Sequence, residues 1–303
     1  MTVHHLSAPP RLPVVLARGA LASLTKRGPY EGARLPDERL VLAGSRVDAG
    51  KLRAYAHVCG FPATDAGRPP PLPPSYPHVL GFPLAMRLMA DRDFPFPLLG
   101  LVHTGVELTQ HRALWAEDRP EISVRAEGPA PHRRGSVFQV VTEARLNGQL
   151  VWHSRSTYLC RHGGGDAGAG PTPAADAPPP APLPVRAHWD LPSGLGRRYA
   201  AASGDRNPIH LHPLAAKLFG FPRHIAHGMW SFARCLAETV PGGEQVTARA
   251  EFKAPVLLPS TVAFGADRLT PPNAPSRVHR FELRGGTDPD RLHLTGEVTS
   301  ERP

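Results

Sequence analysis

The chain has 303 residues, long enough for two modest domains or one large one with a sizeable core. Its 41% hydrophobic content is that of a globular protein, and no apolar stretch approaches the length needed to span a bilayer. A formal net charge of +9 favours acidic partners, but the basic residues are dispersed and not interleaved with aromatics, which excludes a recognisable nucleic-acid module. Three cysteines, Cys59, Cys160 and Cys235, lack metal-like spacing and read as reduced thiols of a cytoplasmic protein. The 37 prolines fall largely in clusters that mark linkers and turns.

Residues 1–46 read as an N-terminal extension without functional signal. Their apolar run is short and broken by Arg18, unlike a secretory signal. A first α+β unit is expected over residues 47–162, with a helix around Leu84 to Met89. Strands follow at Leu101 to Arg112, Ile122 to Ala126, Val137 to Leu146 and Leu150 to Tyr158. Residues 163–186 are a Gly/Pro/Ala-rich linker, flexible at its glycine end and stiffer at its proline end.

The second unit, residues 187–303, opens with a helical pattern from Leu195 to Ala202. After a loop comes a short helical segment from Leu214 to Phe219, closed by Gly220 and Pro222. Met229, Phe232, Ala233, Leu236, Ala237 and Val240 then form the apolar stripe of a longer helix. Val246, Ala248, Ala250 and Phe252 alternate with polar residues as a strand does. Further strands are expected at Thr261 to Arg268, Val278 to Arg284 and Leu292 to Val298. A buried helix followed by antiparallel strands predicts a sheet wrapped around that helix.

The two units repeat weakly. Tyr55 to Gly60 mirrors Tyr199 to Gly204 at a constant offset, and at that offset Phe61, Ala63 and Ala66 stand where Asp205, Asn207 and His210 do. The stretch from Tyr199 to His212 packs a carboxylate, an amide, a proline and an imidazole together. On a helix Asp205 and His210, at about 100° per residue, would lie off a common face, so a loop has to bring them together. Pro208 fixes its own φ and extends Asn207, Gly204 permits a sharp turn, and Asn207 braces the loop. A carboxylate and an imidazole converging on one water or hydroxyl is what acid–base chemistry requires.

S-G-D-R-N-P-I-H, followed by A-A-K-L-F-G-F, I-A-H-G-M and F-K-A-P-V-L-L-P, resembles the hydratase motif of MaoC-like (R)-specific enoyl-thioester hydratases and dehydratases. F-P-F-P-L-L-G-L-V-H, from Phe94 to His103, extends the resemblance to the two-domain 3-hydroxyacyl-thioester dehydratases from about Val47 onward. The resemblance implies a double hotdog fold with an active second repeat. It implies that Asp205 and His210 hold the catalytic water and exchange protons with C2 and the C3 hydroxyl, with either as the base. The substrate would be an acyl-CoA or acyl-carrier-protein thioester, with no cofactor, and the assembly a monomer or homodimer. Gly228, which starts the apolar helix, is the candidate oxyanion donor, because its N–H is unpaired there and it has no side chain. Many single-domain relatives carry a serine where Leu236 stands, so support for Asp205 is expected from Ser203 or Asn207. His227 reads as a structural partner in the oxyanion loop, Arg223 as a possible phosphate contact, and His212 and His224 as solvated or backbone-bonded. No Cys or carboxylate set completes a metal site around these histidines, so none is expected. Two alternatives stay open: a hotdog thioesterase, which usually places its acid on the central helix, where only Glu238 lies, and a non-catalytic acyl-binding subunit.

Overall fold

A computed structural model describes residues 1–26, 30, 32–62, 70–162, 181–240, 245–267 and 276–301. Ala63, Ala66 and most of the linker lie outside them. The first half contains β1 (Thr2–Leu6), α1 (Leu12–Ser23), β2 (Glu38–Leu42), α2 (Ala49–Cys59), α3 (Tyr76–Met89), β3 (Leu101–Gln110), β4 (Glu121–His132), β5 (Gly135–Leu146) and β6 (Gln149–Arg161). The second half contains β7 (Val185–Leu191), α4 (Leu195–Ser203), α5 (Pro208–Leu211), α6 (Pro213–Leu218), α7 (Gly228–Thr239), β8 (Gln245–Phe252), β9 (Ser260–Ala266), β10 (Ser276–Gly285) and β11 (Leu292–Glu301). Among the described residues no helix is long and apolar enough to cross a membrane.

The strands form one sheet in the order β1-β2-β4-β5-β6-β3-β8-β11-β10-β9-β7. From the central β3–β8 pair outward, each half runs through the same succession: β6, β5, β4, β2 on one side and β11, β10, β9, β7 on the other. This is the double hotdog that the repeat implied. β2 occupies in the first half the place of β7 in the second, so the first repeat's sheet takes in residues before Val47.

β3 and β8 pair antiparallel, with Val106 opposite Ala250 and Leu108 opposite Ala248. All four side chains are buried, so one core runs through the joint. α3 lies on β4 and β5, and α7 on β10 and β11. Met229, Phe232, Ala233 and Leu236 of α7 are buried as the stripe predicts. Each fully buried large apolar side chain contributes about 1.5–3 kcal/mol. Trp230 and Cys235, off the stripe, are buried too, because the first repeat packs against α7: Trp230 Nε1 donates to Val58 O at 2.8 Å. Arg234 stacks over the Trp189 ring at 4.2 Å and pairs with Glu238 at 2.6 Å. α2 and α4 meet through Tyr55 and Tyr199, whose ring centroids lie 5.8 Å apart.

α3 begins eight residues before the helix expected at Leu84. Pro77 sits in its first turn, where a missing N–H costs nothing, while Pro83 lies inside the helix and hid its continuity.

Candidate active site

α4 ends at Gly204, whose φ of 84° lies in the left-handed region that glycine adopts freely and that turns the chain sharply out of the helix. A ladder of short side-chain bonds then fixes the loop. Ser203 Oγ donates to Tyr199 O at 2.9 Å and accepts from Asp205 N at 3.2 Å. Asp205 Oδ1 accepts from Asn207 N at 3.1 Å, and Asn207 Oδ1 accepts from Ile209 N at 3.4 Å, capping the single turn of α5 that Pro208 opens. α5 carries His210 inward to 9% exposure, while the Asp205 side chain keeps 28% of its surface open.

His210 Nδ1 lies 2.9 Å from Ile225 O. A carbonyl only accepts, so Nδ1 carries the proton of the neutral ring and Nε2 carries the lone pair. The His227 ring stacks on His210 at 3.7 Å between centroids, with its Nε2 donating to Asp205 O at 3.0 Å. The same Nε2 is 3.9 Å from Asp205 Oδ2. Burial is the largest influence on both rings and holds their pKa below the ordinary imidazole value. For His210 the nearby Asp205 carboxylate opposes that shift. Donor atoms of Asp205, His210 and His227 lie within 4.8 Å of one another, close enough to test as a metal cage. The two rings are only 25° from parallel, so their in-plane lone pairs run side by side instead of converging on one ion, and the cluster fits proton transfer better.

Gly228 is the first residue of α7, so its N–H has no partner within the helix and lies at the positive end of its dipole. A Cβ there would sit 3.1 Å from the Phe252 ring. Gly228, Asp205, His210 and Asn207 line one cavity with Ser203 and His227. Arg223, also nominated from sequence, is absent from that lining and donates instead to Pro259 O at 3.1 Å. His224 Nε2 is 2.8 Å from Ser193 O, and His212 Nδ1 accepts from Leu214 N at 3.2 Å.

Sequence reasoning missed two residues of the first repeat, His78 on α3 and His103 on β3, which line the same cavity. His103 is stacked on Tyr158 at 4.8 Å and lies 5.0 Å from Phe252, the ring that a Cβ on Gly228 would meet. The segment from Phe94 to His103 held the one signal for it; nothing marked His78. Burial pushes His78 down to about 4 and His103 to about 3. Below pH ~6.5 the unfolded chain takes up protons at these positions that the folded chain refuses. Stability present above that pH is therefore lost as pH falls toward 4, by up to about 3 kcal/mol for His78 alone. Melting temperature recorded from pH 7.5 to 4.5 should fall across this range and fall less steeply in His78→Gln; identical slopes would refute the assignment.

Residues 182–270 match the family model for the MaoC like domain. The chain is 38% identical over 231 residues to 3-hydroxyacyl-thioester dehydratase X of Mycobacterium tuberculosis, covering 75% of this chain and 79% of that protein. A crystal structure of HtdX from the same organism superposes with a TM-score of 0.69 at 32% identity, over 86% of this chain and 98% of that one. A further M. tuberculosis structure, described as a double hotdog fold, aligns with a TM-score of 0.56 at 16% identity over 91% and 99% of the two chains, a likeness of fold alone. With this geometry and this relationship, the chain belongs to the MaoC-like dehydratase family.

Proposed function

We propose that this protein is a hydro-lyase that interconverts (R)-3-hydroxyacyl and trans-2-enoyl thioesters of coenzyme A or acyl carrier protein. The observation that carries this reading is the approach of the Asp205 carboxylate and the His210 ring within one cavity that also contains the N-terminus of α7. In hydration, a water held between Asp205 and His210 Nε2 adds its hydroxyl to C3 while C2 gains a proton, so one member of the pair acts as base and the other as acid. Negative charge develops on the thioester oxygen, and the Gly228 N–H with the α7 dipole stabilises it. Dehydration runs the same steps backward: the C2 proton is taken, the C3 hydroxyl is protonated and water leaves. His227 fixes the Asp205 backbone, and Ser203 and Asn207 hold the loop.

The thioesterase reading is disfavoured by Glu238, the carboxylate of α7, which is paired with Arg234 and lies outside the cavity lining. The activity relatives carry in their names is the same dehydration, which supports the lyase. The test follows crotonyl-CoA and a longer trans-2-enoyl-CoA at the conjugated enoyl-thioester band while assaying free thiol. Loss of absorbance without thiol is expected. Thiol release would favour hydrolysis and overturn the lyase.

A further inference from the structure

The helix α1, from the segment that carried no functional signal, borders the cavity that residues of both repeats line. At one end its Leu12 rests on Gly204, the residue before Asp205: a Cβ on Gly204 would lie 2.7 Å from Leu12 Cδ1. At the other end Ser23 Oγ accepts from Leu99 N at 3.0 Å, and Lys26 Nζ, just beyond the helix, donates to Asp91 O at 2.6 Å. Its buried face, Val15 and Gly19, is set tightly on the end of α3, where a Cβ on Gly19 would come within 2.9 Å of Ala90 Cβ. Leu16 and Ala20, one turn apart, line the same cavity as Asp205 and His210, as do Phe82, Met86 and Met89 of α3. The opposite side is open, with Val14 64% and Leu21 68% exposed.

We propose that α1 roofs the acyl end of the active-site cavity and sets the length of acyl chain that the site takes, with Leu16 and Ala20 as the specificity-determining residues. From Leu12, which packs on the glycine before Asp205, to Ser23 the helix spans about 16 Å. At roughly 1.2 Å per backbone-like bond, that distance matches an extended tail of about a dozen carbons. Such a tail would lie between Leu16 and Ala20 on one side and the phenyl and thioether side chains of α3 on the other, an apolar slot in which each buried methylene strengthens binding. Leu12 on Gly204 ties the roof to the catalytic loop. The proposal rests on the acyl-thioester reading of the site, though not on which reaction the site runs.

The experiment compares wild type, Ala20→Phe and Leu16→Ala, with Val14→Ala on the open face as control. It measures kcat/KM for crotonyl-CoA, trans-2-dodecenoyl-CoA and trans-2-hexadecenoyl-CoA, and binding of the unreactive dodecanoyl-CoA by calorimetry. Ala20→Phe is expected to keep the crotonyl rate within about twofold and to lose about tenfold or more on dodecenoyl-CoA, with dodecanoyl-CoA binding weakened to match. Leu16→Ala moves the preference toward hexadecenoyl-CoA, and Val14→Ala leaves the profile unchanged. Equal dodecanoyl-CoA binding in all four proteins, or equal losses at every chain length, overturns the proposal. Should Ala20→Phe fail to fold, Leu16→Ala decides alone. If wild type hydrates none of the enoyl thioesters while Ala20→Phe still weakens dodecanoyl-CoA binding, the hydration reading fails and the role of α1 stands.

Discussion

Asp205→Asn should lower kcat for enoyl-thioester hydration by a factor of about 100 to 10,000 while leaving the fold intact. The amide keeps an oxygen that accepts from Asn207 N, as Asp205 Oδ1 does at 3.1 Å, and leaves untouched the backbone oxygen that receives the His227 bond. What it removes is the group proposed to exchange a proton. His210→Ala should lose a comparable factor, since it deletes the ring whose Nδ1 is committed to Ile225 O and whose Nε2 is left for the reaction. The double variant should fall little below the worse single one, because the two groups work as a unit. Steady-state rates beside thermal melts check all three. A near-normal rate in either single variant would remove the pair from the mechanism.

Gly196→Ala is expected to combine a stability loss with an activity loss, although Gly196 is not among the residues that line the cavity. A Cβ there would lie 2.0 Å from His210 O and 3.1 Å from His210 C, and these are backbone atoms that cannot rotate aside. α4 and α5 must separate, at a cost of about 1–3 kcal/mol or more. His210 moves with α5, and in the proposed mechanism a displacement of about 1 Å in that ring costs on the order of 100-fold in rate. The melting temperature and kcat should therefore fall together, with KM for short substrates changed less. Wild-type melting and rate in the Gly196→Ala protein would show that the helices have slack that the packing denies.

The Asp205–His210 loop was legible because its parts are local: Gly204 and Pro208 set the turn within the few residues that contain the carboxylate and the imidazole. The α7 stripe and the alternation of β8 were legible for the same reason, since both periodicities are written in consecutive residues. His78 and His103 were not, because they belong to the first repeat and share a cavity with Asp205 and His210 only in the assembled fold, in which β3 and β8 join the two repeats. Gly196 carries no local mark at all; its need for a bare Cα arises where α4 meets α5. α1 is apolar almost all round, which hides the face it buries, and β2 joins the sheet only once β4 is in place. Arg223, which precedes the Gly228 turn in sequence, donates to Pro259 O and is outside the cavity lining.

The measurement that tests the central claim most directly presents the enzyme with (3R)- and (3S)-3-hydroxydodecanoyl-CoA separately and follows the appearance of the conjugated enoyl-thioester band, with Asp205→Asn beside wild type. As the proposed acid–base pair, Asp205 and His210 hold one arrangement in the cavity that also contains the N-terminus of α7, and so would address one face of the substrate. Wild type should convert the (3R) thioester alone, and Asp205→Asn neither. Conversion of the (3S) thioester at a similar rate, or undiminished conversion by Asp205→Asn, would contradict the account.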